Sequence, residues 1–85
     1  MTSEERKLYI RKEILRALAD CSPYLLRETI LFEQVSMVVA PSLTQQEFES
    51  EFKWLEREHL VAGVPADLGG PRKWKISELG RATTL

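Results

Sequence analysis

Apolar residues recur at helical spacing near the start of the chain. Leu8, Ile10, Ile14, Leu15 and Leu18 fall together, with Tyr9, Lys12, Arg16 and Ala19 on the other side, which predicts an amphipathic helix. Thr2 with Glu5 at capping-box spacing, or Ser3 ahead of Glu4 and Glu5, marks its start. Cys21, Ser22 and Pro23 break the pattern, so the end is expected near Asp20. Tyr24, Leu25 and Leu26 fit either a short extended piece or the first turn of a new helix. We take the former, with a second helix from about Arg27 that buries Ile30, Leu31, Val35 and Val38. Pro41 is expected to stop it, because the residue before a proline is pushed towards extended geometry.

The sharpest local signal is Leu43 to Phe48. Thr44 and Glu47 have the spacing of a capping box, and Leu43 and Phe48 occupy the two positions of a hydrophobic staple. A third helix therefore starts at Thr44 and runs to about Glu58, with Phe48, Phe52, Leu55 and His59 on one side. About five residues separate it from the second helix, which predicts a tight helix-turn-helix pair. After Leu60 the period becomes extended. Leu60 to Val64 read as a strand, Asp67 to Pro71 as a turn, and Arg72 to Ile76 as a second strand with Trp74 and Ile76 facing one way and Lys73 and Lys75 the other. Ser77 to Gly80 read as a short capped turn pinning the end of this hairpin.

Two stretches resemble a known family. Trp54-Leu55-Glu56-Arg57-Glu58-His59-Leu60-Val61 is similar to the end of a winged-helix recognition helix. Trp74-Lys75-Ile76-Ser77-Glu78-Leu79-Gly80-Arg81 looks like the strand closure of many bacterial and phage regulators of that fold. With the order of elements, the resemblance covers nearly the whole chain. It implies an α+β, mainly α domain over residues 1–85: a three-helix winged helix-turn-helix with a C-terminal two-stranded β-hairpin wing. It further implies a recognition helix from Thr44 that enters the DNA major groove, and a wing from Val61 to Ile76. Winged helices also serve as protein-interaction modules, and fold alone does not decide between these roles.

Composition narrows the class. The 85 residues are 44% hydrophobic and 29% charged, as in an ordinary globular chain with one core. Cys21 is the sole cysteine and His59 the sole histidine. No disulfide within the chain and no zinc set is expected, and a lone thiol fits a reducing compartment, so the expected location is cytoplasmic. The charged N-terminus does not resemble a signal peptide, and no apolar run suits a membrane span. No nucleophile-base constellation accompanies His59, and Gly69-Gly70 precedes a strand rather than a helix. Neither enzyme activity nor a cofactor is therefore expected.

A net charge of −1 counts against a strong DNA binder, because cationic side chains supply most non-specific affinity. Placement at about 100° per residue alters that picture for the third helix. Gln46, Ser50, Lys53 and Arg57 lie opposite the core line, with Glu47, Glu51 and Glu58 on one flank and Glu49 and Glu56 on the other. The outer ridge is polar and basic, able to read base edges or touch phosphates. The candidate DNA-contacting set is Gln45, Gln46, Ser50, Lys53, Arg57, Arg72, Lys73 and Lys75, with double-stranded DNA as the partner of a small transcriptional regulator.

Blander readings stand beside it. Any solvated helix carries a polar stripe, and Lys53 and Arg57 have Glu49, Glu56 and Glu58 within pairing distance along the helix. Lys73 and Lys75 suit protection of an edge strand. Arg6, Lys7, Arg11, Lys12 and Arg16 read as solubilising charges. Trp54 is expected to cover the base of the hairpin or to anchor a partner. The alternative function is a protein-interaction module in a larger assembly, using the acidic flanks with Trp54 or Leu68. A homodimer through the first helix is compatible with either role.

Overall fold

The computed structural model describes residues 2–39, 42–65 and 69–83. Helix α1 spans Ser3–Cys21, strand β1 Leu26–Arg27, α2 Glu28–Ser36, α3 Gln45–Arg57, β2 Val61–Val64, β3 Lys73–Ile76 and α4 Glu78–Ala82. The chain is α+β and mainly helical. Thr2 caps α1, its hydroxyl accepting from the Glu5 N–H at 3.1 Å. Ile10, Ile14, Leu15 and Leu18 are buried as the spacing predicts, but Leu8 is 36% exposed and Ala19 packs against the core.

Helix α2 departs further from expectation. Its buried positions are Leu31 and Val35, joined by Val39 beyond its end, while Ile30 is 41% exposed and Val38, also beyond the end, 50%. The helix stops at Ser36, ahead of Ala40 and Pro41, which lie outside the described residues. Residues 37–44 therefore separate α2 from α3, a longer connection than the five residues expected.

Three strands form one antiparallel sheet in the order β1-β3-β2. The two-stranded hairpin of the sequence reading gains β1, whose Leu26 and Arg27 sit opposite Trp74 and Lys73. On the other side Val61 to Val64 pair with Ile76 to Lys73. Trp74 and Ile76 point into the core and Lys73 and Lys75 out of it. Since β3 is central, its lysines do not guard an edge. Asp67 and Leu68 of the expected turn lie outside the described residues.

An aromatic chain ties the layers together. Phe32 of α2 meets Phe48 edge-on at 5.3 Å, Phe48 stacks with Phe52 at 5.5 Å, and Phe52 meets Trp74 of β3 edge-on at 4.6 Å. The last contact sets the sheet's inner face towards α3. Gly63 lies opposite Trp74, and a Cβ there would be 2.9 Å from the indole ring, so only glycine lets the ring lie across the strand.

The end of α3 corrects the place given to His59. His59 is exposed, in left-handed conformation with φ 61°. Its N–H donates to Glu56 O at 3.0 Å and the Leu60 N–H to Leu55 O at 2.9 Å, the two bonds of a Schellman cap. Leu60, rather than His59, continues the core line. Ser77 then pins the sheet to this cap, its hydroxyl donating to His59 O at 2.6 Å while accepting from Gly80 N–H at 2.9 Å. The expected capped turn is thus α4.

Candidate functional site

Helix α3 is set by its own ends. The Glu47 N–H donates to Thr44 Oγ1 at 3.1 Å, and the Thr44 N–H donates to Glu47 Oε1 at 3.2 Å, closing the capping box. Phe48, Phe52 and Leu55 are then buried on one side.

The flank facing α1 is a seam of ion pairs. Arg6 Nε lies 2.6 Å from Glu47 Oε2, and Arg6 Nη2 donates to Glu47 Oε1 and Ser42 O at 3.1 Å each. Hydrogen bonding from Arg6, more than the bonds from Thr44, lowers the Glu47 carboxyl from 4.5 to about 2 against the opposing effect of burial. One turn on, Arg11 Nε lies 2.8 Å from Glu51, which is buried, and the guanidinium stacks 3.9 Å over the Trp54 ring. Two of the basic side chains read as solubilising therefore bind α1 to α3. Trp54 is partly buried beneath one of them.

The outer ridge stands in solvent at Lys53 and Arg57, while its Gln46 and Ser50 line a cleft with Ser3, Arg6 and Lys7 of α1. Gln45, Gln46, Ser50, Lys53 and Arg57 are all exposed. Gln45 Nε2 donates to Glu49 Oε1 at 3.3 Å. Among the described residues, neither Lys53 nor Arg57 makes an ion pair, so the pairing with Glu49, Glu56 or Glu58 allowed by sequence spacing is not formed. The second flank is acidic. Half-buried Glu28 of α2 has its carboxyl pushed up, first by burial and then by Glu49 and Glu56, with Lys53 opposing. Arg72 approaches Glu56 from the hairpin at 4.0 Å.

The eight candidates divide between two surfaces. Arg72 reaches Glu56 on the acidic flank of α3, where Gln45 meets Glu49, beside the ridge of Gln46, Ser50, Lys53 and Arg57. Lys73 and Lys75 occupy the face of β3 opposite to Trp74, which touches α3, so their side chains leave the sheet in another direction. Beside Lys73 on that outer face sits Arg27, which the sequence reading did not single out. The signal was hidden because pairing between β1 and β3 joins residues far apart in sequence. Glu28 was missed for the same reason.

Among the described residues, no group of three or more His, Cys, Asp or Glu is placed to hold a metal ion, and no helix is long and apolar enough to cross a membrane. No family model matches the chain, and no curated protein matches it in sequence.

Proposed function

We propose that this chain is a winged helix-turn-helix domain of a small cytoplasmic transcriptional regulator that binds double-stranded DNA through the outer ridge of α3. In this reading Gln46, Ser50, Lys53 and Arg57 face the major groove, with Gln45 beside them and Arg72 meeting the backbone. One observation carries it: α1 takes up Glu47 and Glu51, while Lys53 and Arg57 stay exposed and outside any ion pair among the described residues. Carboxylates that would repel phosphate from one flank are held by arginines. The cations that would attract it are available. In this reading the chain binds and does not catalyse.

A second reading, a protein-interaction module, is favoured by the acidic flank of Glu28, Glu49 and Glu56 and by exposed Ile30 and Met37 on and just beyond α2. The two readings separate in a titration of the chain against random-sequence duplex at two salt concentrations. DNA binding predicts affinity that falls steeply with salt, and a further loss in Arg57→Glu. Absence of duplex binding at low ionic strength overturns the DNA reading and leaves the interaction module.

A further inference from the structure

Between α1 and α4 lies a cleft of about 330 Å³ bordered by cations from both helices. Lys12 and Arg16 stand one turn apart on α1, Arg81 comes from α4, and Leu15, Ala19 and Ile76 supply the apolar lining. Like charges at i and i+4 repel, so this spacing does nothing for the helix that carries it. Lys12 is exposed and forms no ion pair among the described residues. Arg81 donates to the Ser22 hydroxyl rather than to a carboxylate. Arg16 has one loose contact, 3.6 Å to Glu13, and its side chain is 71% exposed. Among the described residues no carboxylate lines the cleft: Glu13 and Asp20 line a groove between α1 and α2, and Glu78 a different cleft. Solubility explains scattered surface cations, but not three of them from two elements around one apolar hollow.

We propose that this cleft binds a small organic phosphate monoester, its head held by Lys12, Arg16 and Arg81 and a compact apolar body resting on Leu15, Ala19 and Ile76. Charge selects the head. A phosphate monoester carries roughly −1.5 to −2 at neutral pH and offers several strong acceptor oxygens, a closer match to three cations than a lone carboxylate. The lining selects the body, since apolar walls with a few placed polar groups are the make-up of small-molecule sites, and the volume falls at their lower end. The inference is independent of the α3 reading, because none of these residues belongs to α3 or to its proposed DNA contacts.

The test is a heteronuclear NMR titration of the full chain with phenyl phosphate. Saturable shifts are expected at the amides of Ala19, Gly80, Arg81 and Thr83 around the cleft, with a Kd of about 1 mM or tighter. Lys12→Gln with Arg81→Gln should weaken binding roughly tenfold or more. Lys12→Gln alone, at an exposed and unpaired side chain, should weaken it about threefold and keeps the test open should the double variant fold poorly. Inorganic phosphate and benzoate should each bind roughly fivefold more weakly or worse, the first for want of an apolar body and the second for want of charge. Shifts that fail to saturate or that scatter over the chain overturn the site, as does an unchanged Kd in both variants. Inorganic phosphate binding as tightly as phenyl phosphate overturns the apolar body, and benzoate binding as tightly overturns the phosphate head. Displacement of phenyl phosphate by a random-sequence duplex, with the same cleft amides shifting, would overturn the small ligand and give these cations to nucleic acid. A chain that binds phenyl phosphate here and no duplex at all supports the cleft and removes the α3 reading.

Discussion

Along α3, Glu47 and Glu51 meet arginines of α1 at 2.6 and 2.8 Å, whereas Lys53 and Arg57, on the outward ridge of the same helix, meet no carboxylate within ion-pair distance among the described residues. Exposure follows the same division. The Glu51 side chain is 6% exposed and that of Arg11 19%, while the ridge lies in solvent. A charge desolvated beside its partner belongs to the architecture, because removing either member strands the other. An exposed, unpaired charge contributes little to folding and is available for something else. The net charge of −1 conceals this, since it sums over position.

Substitution at the seam should cost the most. Glu51→Ala leaves the Arg11 guanidinium partly buried over Trp54 without its carboxylate, and the expected loss is about 2 kcal/mol of stability, read as a lower urea midpoint with an unchanged slope. Lys53→Ala combined with Arg57→Ala is the reciprocal case. Stability should change by less than about 0.5 kcal/mol, while affinity for duplex DNA falls roughly tenfold or more at low salt. Equal destabilisation by the two variants would erase the distinction between the two sides of the helix.

What the sequence made legible was local. The start of α3 needed only Thr44, Glu47 and their spacing, and the inward Trp74 and Ile76 needed only strand alternation. The outer ridge of α3 followed from the strength of its apolar line. Helix α2 resisted because Ile30, Leu31, Phe32, Val35, Val38 and Val39 surround it with apolar groups. Neighbouring apolar positions then competed for the inner side, and the three-dimensional packing chose Leu31, Val35 and Val39. His59 falls at core spacing on paper, but the helix ends at Arg57 and the chain turns left-handed there. The seam and the place of Arg27 beside Lys73 were out of reach. Arg6 and Glu47 are 41 positions apart, Arg11 and Glu51 are 40, and the central position of β3 depends on a strand of two residues far upstream.

The acidic flank has a gentler effect. Glu28, Glu49 and Glu56 surround Lys53 with negative charge that α1 does not neutralise. Glu28→Gln should therefore raise duplex affinity, by roughly threefold for one screened charge, and leave the salt slope near its original value. A fall in affinity would mean that Glu28 positions Lys53 for its contact rather than opposing it.

Acid titration yields the smallest effect and separates the two flanks by sign. The Glu47 carboxyl is depressed from 4.5 to about 2, chiefly by the hydrogen bond from Arg6, so the unfolded chain takes up that proton more readily than the folded one. Its stabilisation is complete above about pH 4.5 and is lost as pH falls towards 2. Glu28 is raised by burial and by Glu49 and Glu56, so its unfavourable contribution exists above its folded pKa and disappears as pH falls through it. The advantage of the unsubstituted chain over Glu47→Gln should hold level from neutral pH to about 4.5 and then shrink. The advantage of Glu28→Gln over the unsubstituted chain should already shrink at a higher pH. Both differences are modest, because the Glu47 side chain is 35% exposed and salt screens it, so they are best read as melting temperatures of paired samples along one pH series. A Glu47→Gln difference that persists undiminished to pH 2 would mean that the seam acts through packing of the Arg6 side chain and the capping box, with the ionised carboxylate contributing nothing of its own.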